Sequence, residues 1–177
     1  MIDIKATTEL EAVNTILDAV LETQVNTITA GNDAVVKSAI GYLNEASRSL
    51  QQKGWVFNTI KEYKLTPDAS KFIHIPDSIS QVTLAGSSVS IRQRKLFNLT
   101  DNTFEFSGVQ TVSVVQRLSF DDLPDAARHY VTIKAAARAQ DDKIPDNLTY
   151  RITQRNVAEA WSGFRTEDTR ASASNFR

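Results

Sequence analysis

Apolar residues recur at helical spacing at both ends of this chain and at strand spacing between them. Near the start, Leu10, Val13, Leu17, Val20 and Leu21 fall on one stripe, and Thr8 with Glu11 forms a capping box ahead of it. The pattern predicts a helix running to about Thr23. Polar Gln24 to Gly31 follows, and a second start at Asn32 or Asp33 precedes Val36, Ile40, Leu43 and Leu50. That stretch stops at Lys53-Gly54, where lysine suits the last helical turn and glycine the left-handed position just beyond it. The product is a helical hairpin. Its first helix has too little apolar surface to stand alone and needs partners from elsewhere in the chain.

After Gly54 the punctuation changes for roughly sixty residues to short runs of β-branched and aromatic residues. Trp55 and Phe57, at spacing two, are expected on one face of an extended segment. Strands are predicted near 55–65, 71–75, 80–85, 88–97, 103–106 and 109–118, with residues 83–95 matching a hairpin best. Pro67-Asp68, Pro76-Asp77, Gly86-Ser87-Ser88, Asp101-Asn102 and Ser107-Gly108 supply the turns. Such a region suits a small antiparallel sandwich or open barrel.

Helical spacing then returns. Asp121-Asp122-Leu123-Pro124-Asp125 reads as a helix start, with acidic caps and proline in the first turn. The third helix is expected to reach about Gln140, its Ala135-Ala136-Ala137 and Ala139 permitting close helix packing. Asp141 to Asn147, with Pro145, breaks it, and a fourth helix places Tyr150, Val157, Trp161 and Phe164 on one side. From Thr166 onward the chain is polar and small, which predicts a flexible tail.

The predicted class is therefore α+β: a helical bundle formed by both ends of the chain, with an inserted antiparallel β domain. Residues 1–54 and 121–165 supply the bundle, 55–120 the insertion and 166–177 the tail.

Composition narrows the function classes. The 177 residues hold no cysteine, which excludes disulfides, thiolate metal sites and cysteine nucleophiles. No apolar run approaches the roughly 20 residues needed to span a bilayer, and no secretion signal opens the chain, so folding in a cytoplasm is expected. The net charge of -1 hides an asymmetry: 4 basic against 7 acidic residues over 1–60, but 9 against 6 over 126–177. The acidic first helices and basic last helices can attract one another, within a subunit or between neighbours.

Candidate chemistry is sparse. His74 lies in a strand pattern and His129 early in the third helix, and neither has metal-ligand spacing. Asp121, Asp122 and Asp125 could form a carboxylate cluster for acid/base work, but helix capping explains them more simply. No nucleophile elbow, phosphate loop or dinucleotide glycine pattern occurs. The sequence thus predicts no enzyme, no catalytic residue, no cofactor and no metal. Arg92-Gln93-Arg94-Lys95 is the densest basic run; with Phe97 it could stack on single-stranded nucleic acid, but Arg92 and Arg94 on one strand face fit an exposed edge or interface better. In the tail, Phe176 could anchor on a neighbouring protein, with Arg165, Arg170 and Arg177 as charge partners.

Three segments carry a family resemblance: Glu11-Ala12-Val13-Asn14-Thr15-Ile16-Leu17, Gly54-Trp55-Val56-Phe57-Asn58, and Asp122-Leu123-Pro124 through Arg128-His129-Tyr130. In this order they resemble the tail tubular protein A family, the head-to-tail adaptors of short-tailed bacteriophages, over residues 8–164. Glu22-Thr23-Gln24-Val25 departs from the family pattern in lacking prolines. The resemblance implies a homo-oligomeric ring of twelve subunits in the virion, assembled in the host cytoplasm beneath the portal protein. It further implies contact with the nozzle protein, tail tubular protein B, and with tail fibres; viral DNA is expected to pass through without specific binding, because strong phosphate contacts would retard it, and no membrane partner is expected. The rival expectation is a tail-associated hydrolase of polysaccharide using Asp121, Asp122 or Asp125.

Overall fold

A computed structural model describes residues 7–29, 33–144, 152 and 154–174. Among these are four α-helices, α1 (Glu9–Ala19), α2 (Ala34–Gln51), α3 (Asp125–Lys143) and α4 (Gln154–Ser174). Five strands lie between α2 and α3: β1 (Thr59–Leu65), β2 (Ile79–Thr83), β3 (Val89–Arg92), β4 (Lys95–Asn98) and β5 (Gln110–Gln116). The class is α+β. The chain forms two compact units, one from the residues up to Leu50 and from Ser119 onward, the other from Gln51–Leu118.

In the helical unit, the first segment of the chain packs on the last. Thr8 caps α1 by accepting from the Glu11 amide at 3.3 Å, while the Glu11 carboxylate accepts from the Thr8 amide at 2.8 Å. Ala12, Val13, Ile16, Leu17 and Ala19 are buried, and α1 packs against α3, whose Ala127, Val131 and Ala135 are fully buried. These small side chains let the helix axes approach. The Asp33 carbonyl accepts the first helical hydrogen bond of α2 from the Lys37 amide at 3.1 Å. Toward the end of α2, the Ser49 hydroxyl meets the Lys134 ammonium of α3 at 3.2 Å.

The first helix stops at Ala19 rather than near Thr23. Leu21 adopts a left-handed conformation, φ 63°, so that its amide bonds to the Asp18 carbonyl and the Glu22 amide to that of Leu17. This is the double hydrogen-bond pattern that usually has glycine at its left-handed position, so the sequence carried no stop signal there. The Asn14 side chain then pins the departing chain, donating to the Val25 carbonyl and accepting from its amide, each at 2.9 Å.

The β unit holds a three-stranded antiparallel sheet, order β1-β5-β2, and the antiparallel pair β3-β4. Both contribute to one core of Leu65, Ile73, Ile75, Ile79, Leu96, Phe106, Val112 and Val114. β1 lies at an edge of its sheet and is interrupted by a bulge at Glu62, φ 58°. Such a kink disrupts the ladder that another chain could extend.

Three sequence expectations need correction here. Residues 55–58 are not strand: Val56–Asn58 is one 3-10 turn, so Trp55 and Phe57 do not share a strand face. Residues 71–75 and 103–106 make only isolated bridges, at Phe72, His74, Thr103 and Glu105. The expected strand 88–97 is broken at Gln93-Arg94, and the laddered hairpin is residues 89–98 instead of 83–95. Gln93 and Arg94 have φ of 50° and 57°, the two left-handed residues of a type I′ connection, without the usual Asn-Gly. Tertiary bonds offset the strain. The Arg94 carbonyl accepts from the Ile75 amide at 2.8 Å, and its guanidinium donates to the carbonyls of Pro76 and Ile79.

The glycine at the α2 exit takes φ 70°, as its position suggested. Asn58, only 1% exposed, organises the turn beyond that glycine. Its Oδ1 accepts from the Trp55 amide at 2.7 Å, and its Nδ2 donates to the carbonyls of Gln51 and Gln116 at 2.9 and 3.0 Å. The buried Gln51 side chain in turn accepts from the Leu118 amide at 2.7 Å and donates to the Leu118 carbonyl at 3.1 Å. The points where the chain enters and leaves the β unit are thereby tied together.

The polar segment after Phe164 is also helical: α4 continues through Ser174, in place of the flexible tail expected from residue 166. Arg, Glu and Ala favour helix, and the hydroxyls of Thr166 and Thr169 are absorbed by bonds to the carbonyls of Ser162 and Arg165, at 2.9 and 2.8 Å. Low hydrophobicity signals little burial, and a helix can extend without burial once a packed segment nucleates it.

Candidate partner-binding surfaces

In the β unit, antiparallel pairing places Ser90 opposite Phe97 and Arg92 opposite Lys95, alternating with Val89–Asn98 and Ile91–Leu96. Leu96 is fully buried, and Val89 and Ile91 pack on the core. The alternate face carries a second aromatic cluster. Phe104 meets Phe97 and Phe72 edge-on, with centroids 4.7 and 6.5 Å apart. The Arg92 guanidinium lies 3.9 Å from the Phe97 ring centre, and the Lys95 ammonium 4.4 Å from that of Phe72.

Arg92 and Arg94 do not share a strand face, contrary to the expectation for them. Arg94 sits in the connection as an internal staple, ion-paired to Asp77 at 3.0 Å. Lys95 takes the place expected of Arg94, as the neighbour of Arg92. The sequence held no signal for this, because a strand through residue 94 would put Lys95 on the other face.

Next to this face in the chain, Asp68 organises a tight loop. Its Oδ1 accepts from the Phe72 and Ser70 amides at 2.9 and 2.8 Å, and its Oδ2 lies 3.0 Å from Nε2 of His74. The Phe72 amide foremost, then His74 and the Ser70 amide, hold the carboxyl below the usual carboxylate range. His74 is thus a bridge residue, paired through its backbone with Lys95, and its side chain has a carboxylate partner.

In the helical unit, Tyr130 of α3 stacks on Phe164 of α4 with centroids 6.2 Å apart, and Trp161 lies 5.0 Å from Tyr130. Burial raises the Tyr130 phenol above its ordinary value. Beside this layer runs a shallow groove of about 330 Å³, lined by Ala126, His129 and Ile133 of α3 and by Ala160, Gly163 and Phe164 of α4. Arg165 reaches over Trp161 at 5.8 Å, and Arg170 is exposed further along α4. Phe176 and Arg177 lie outside the described residues, as do Asn32, Pro145, Asn147 and Tyr150.

The carboxylates suggested for acid/base work have structural partners. Asp121 accepts from the Glu9 amide and Asp125 from the Thr7 amide, each at 3.3 Å, and Asp122 accepts from the Ser119 hydroxyl at 2.7 Å. Asp121 and Asp125 therefore also serve the start of α1, and Asp125 lies in the first turn of α3, whose cap position is held by Pro124. Arg128 completes the joint by donating to the Thr7 carbonyl at 3.1 Å. Among the described residues, no group of three or more His, Asp or Glu side chains is placed to hold a metal ion, and no helix is long and apolar enough to cross a membrane.

A helical unit built from the first and last described segments of the chain, with an inserted β unit, defines a two-unit α+β protein. The chain belongs to the tail tubular protein family, whose model matches residues 10–173. It is also similar to "Tail tubular protein A" of Klebsiella phage KP34, with 32% identity over 127 residues, 70% of this chain. That match spans 66% of the relative's own length. The protein is accordingly a structural component of a phage tail, and its place is the virion.

Proposed function

We propose that the protein is the head-to-tail adaptor: a ring of subunits, twelve by the family resemblance, seated between portal and nozzle and offering a platform for tail fibres. The observation that carries this reading is the family match across both units, joined to a fold in which one end of the chain closes on the other. An adaptor has to hold its shape while different proteins bind above and below it. Paired caps at Thr7, Glu9, Asp121, Asp125 and Arg128 give the helical unit such closure. The work is done by interface area and symmetry, and no reaction is required.

The genome passes through the centre of the ring. Tight phosphate binding would retard it, so the lumen is neutral or acidic overall and duplex affinity is weak at moderate salt. Electron microscopy and light scattering of the protein, alone and mixed with portal protein, test the proposal. A closed ring in either sample is the expected result. A monomer in both, with no complex on portal, overturns it.

A further inference from the structure

The hairpin face of the β unit carries an electrostatic arrangement that folding alone does not explain. Across three neighbouring segments, bridge pairing aligns His74 with Lys95 and Lys95 with Arg92. Nearby cations have acidic partners: Lys71 with Glu105 at 3.6 Å, His74 with Asp68 at 3.0 Å and Arg94 with Asp77 at 3.0 Å. Arg92 and Lys95, by contrast, contact only the faces of Phe97 and Phe72, and no carboxylate lies within ion-pair distance of either among the described residues. Two like charges directly opposite across a ladder repel one another. The rings hold the two cations in place, and among the described residues no counter-charge is paired with either.

We propose that this face docks an acidic segment of a partner protein, with carboxylates seated between Arg92 and Lys95. The inference rests on the reading of the chain as a structural part that engages other proteins, and it names the chemistry of one such contact. Single-stranded nucleic acid fits the face less well. Phe97 is only 6% exposed, with Arg92 over it and Phe104 against its side, so it offers no platform for a base. Lys95 covers Phe72 in the same way. Asp68, Asp77 and Glu105, bound to the neighbouring cations, would repel a run of phosphates, whereas one or two carboxylates need only the space between the free pair. Arg94 has no part in the contact, because its guanidinium is committed to Pro76, Ile79 and Asp77.

Fluorescence anisotropy of a labelled poly-glutamate peptide titrated with the full-length chain at low salt tests this directly and requires no ring. The peptide should bind, lose affinity as salt rises, and bind about threefold to tenfold more weakly to the double variant Arg92→Gln with Lys95→Gln. Lys37→Gln with Lys64→Gln removes the same net charge from exposed positions elsewhere and should leave binding within about twofold. Lys95→Arg, which keeps the charge, should also retain binding. The proposal is overturned by absence of peptide binding, by equal losses in both double variants, or by loss in Lys95→Arg. Tighter binding of a single-stranded oligonucleotide through the same two residues would make the face a nucleic-acid site and overturn it too. Ring formation by a chain whose peptide binding fails would separate this inference from the adaptor reading.

Discussion

Asn58 and Gly54 show how much of the β unit depends on single side chains. Asn58 satisfies three backbone groups at once in a buried setting where water cannot replace it. Asn58→Ala is therefore expected to destabilise the protein by about 2–3 kcal/mol, measured by chemical denaturation. Gly54 has φ 70°, and a Cβ there would lie 3.0 Å from Cγ2 of Val115. Gly54→Ala combines left-handed strain with that close approach and should cost about 1–2 kcal/mol in the same experiment. The glycine was readable from its place after a helical pattern. The role of Asn58 was not, since nothing in Trp55-Val56-Phe57-Asn58 shows that the carbonyls of Gln51 and Gln116 converge on it.

Among the elements, the end of α1 is the clearest case of a sequence rule broken. Leu21, 58% exposed, occupies the left-handed position normally held by glycine. Leu21→Gly should raise the stability of the free chain by about 0.5–1 kcal/mol, read as a shift in denaturation midpoint. No gain, or a loss, would mean that the leucine makes a contact worth more than its strain. The Asp68 loop supplies a pH dependence. Because the folded-state pKa of Asp68 is lowered, its contribution is present above the ordinary carboxylate value and is lost as pH falls through the lowered one. The stability difference between the native protein and Asp68→Ala should therefore be largest near neutral pH and narrow below about pH 4 in denaturation series. The β3-β4 hairpin was legible as paired strands, but not in its register. A Gln-Arg connection has no local preference for two left-handed residues, and the contacts that hold Arg94 come from Pro76, Asp77 and Ile79, earlier in the chain.

For the whole molecule, the charge asymmetry leads to a prediction about assembly. If the acidic first segment of one subunit meets the basic last segment of the next, ring formation with portal protein should weaken as salt rises from low to physiological strength. Sedimentation or light scattering across a salt series would show it, and a salt-independent ring would assign the interface to apolar contacts instead.

The order of the helices and of the β region between them was written in local patterns: the stripe from Leu10 to Leu17, the capping box at Thr8, the glycine after α2 and the Pro and Asp turns. Each depends on neighbours within a few residues, and so does family membership, which tracks the ordered residues themselves. Contacts between residues far apart decided the rest. Asp121 and Asp125 cap a helix more than a hundred positions away in sequence, Arg94 leaves the strand for a turn, and Lys95 comes to face Arg92. These outcomes depend on which distant backbone groups are brought near, a property of the folded chain that no local spacing encodes.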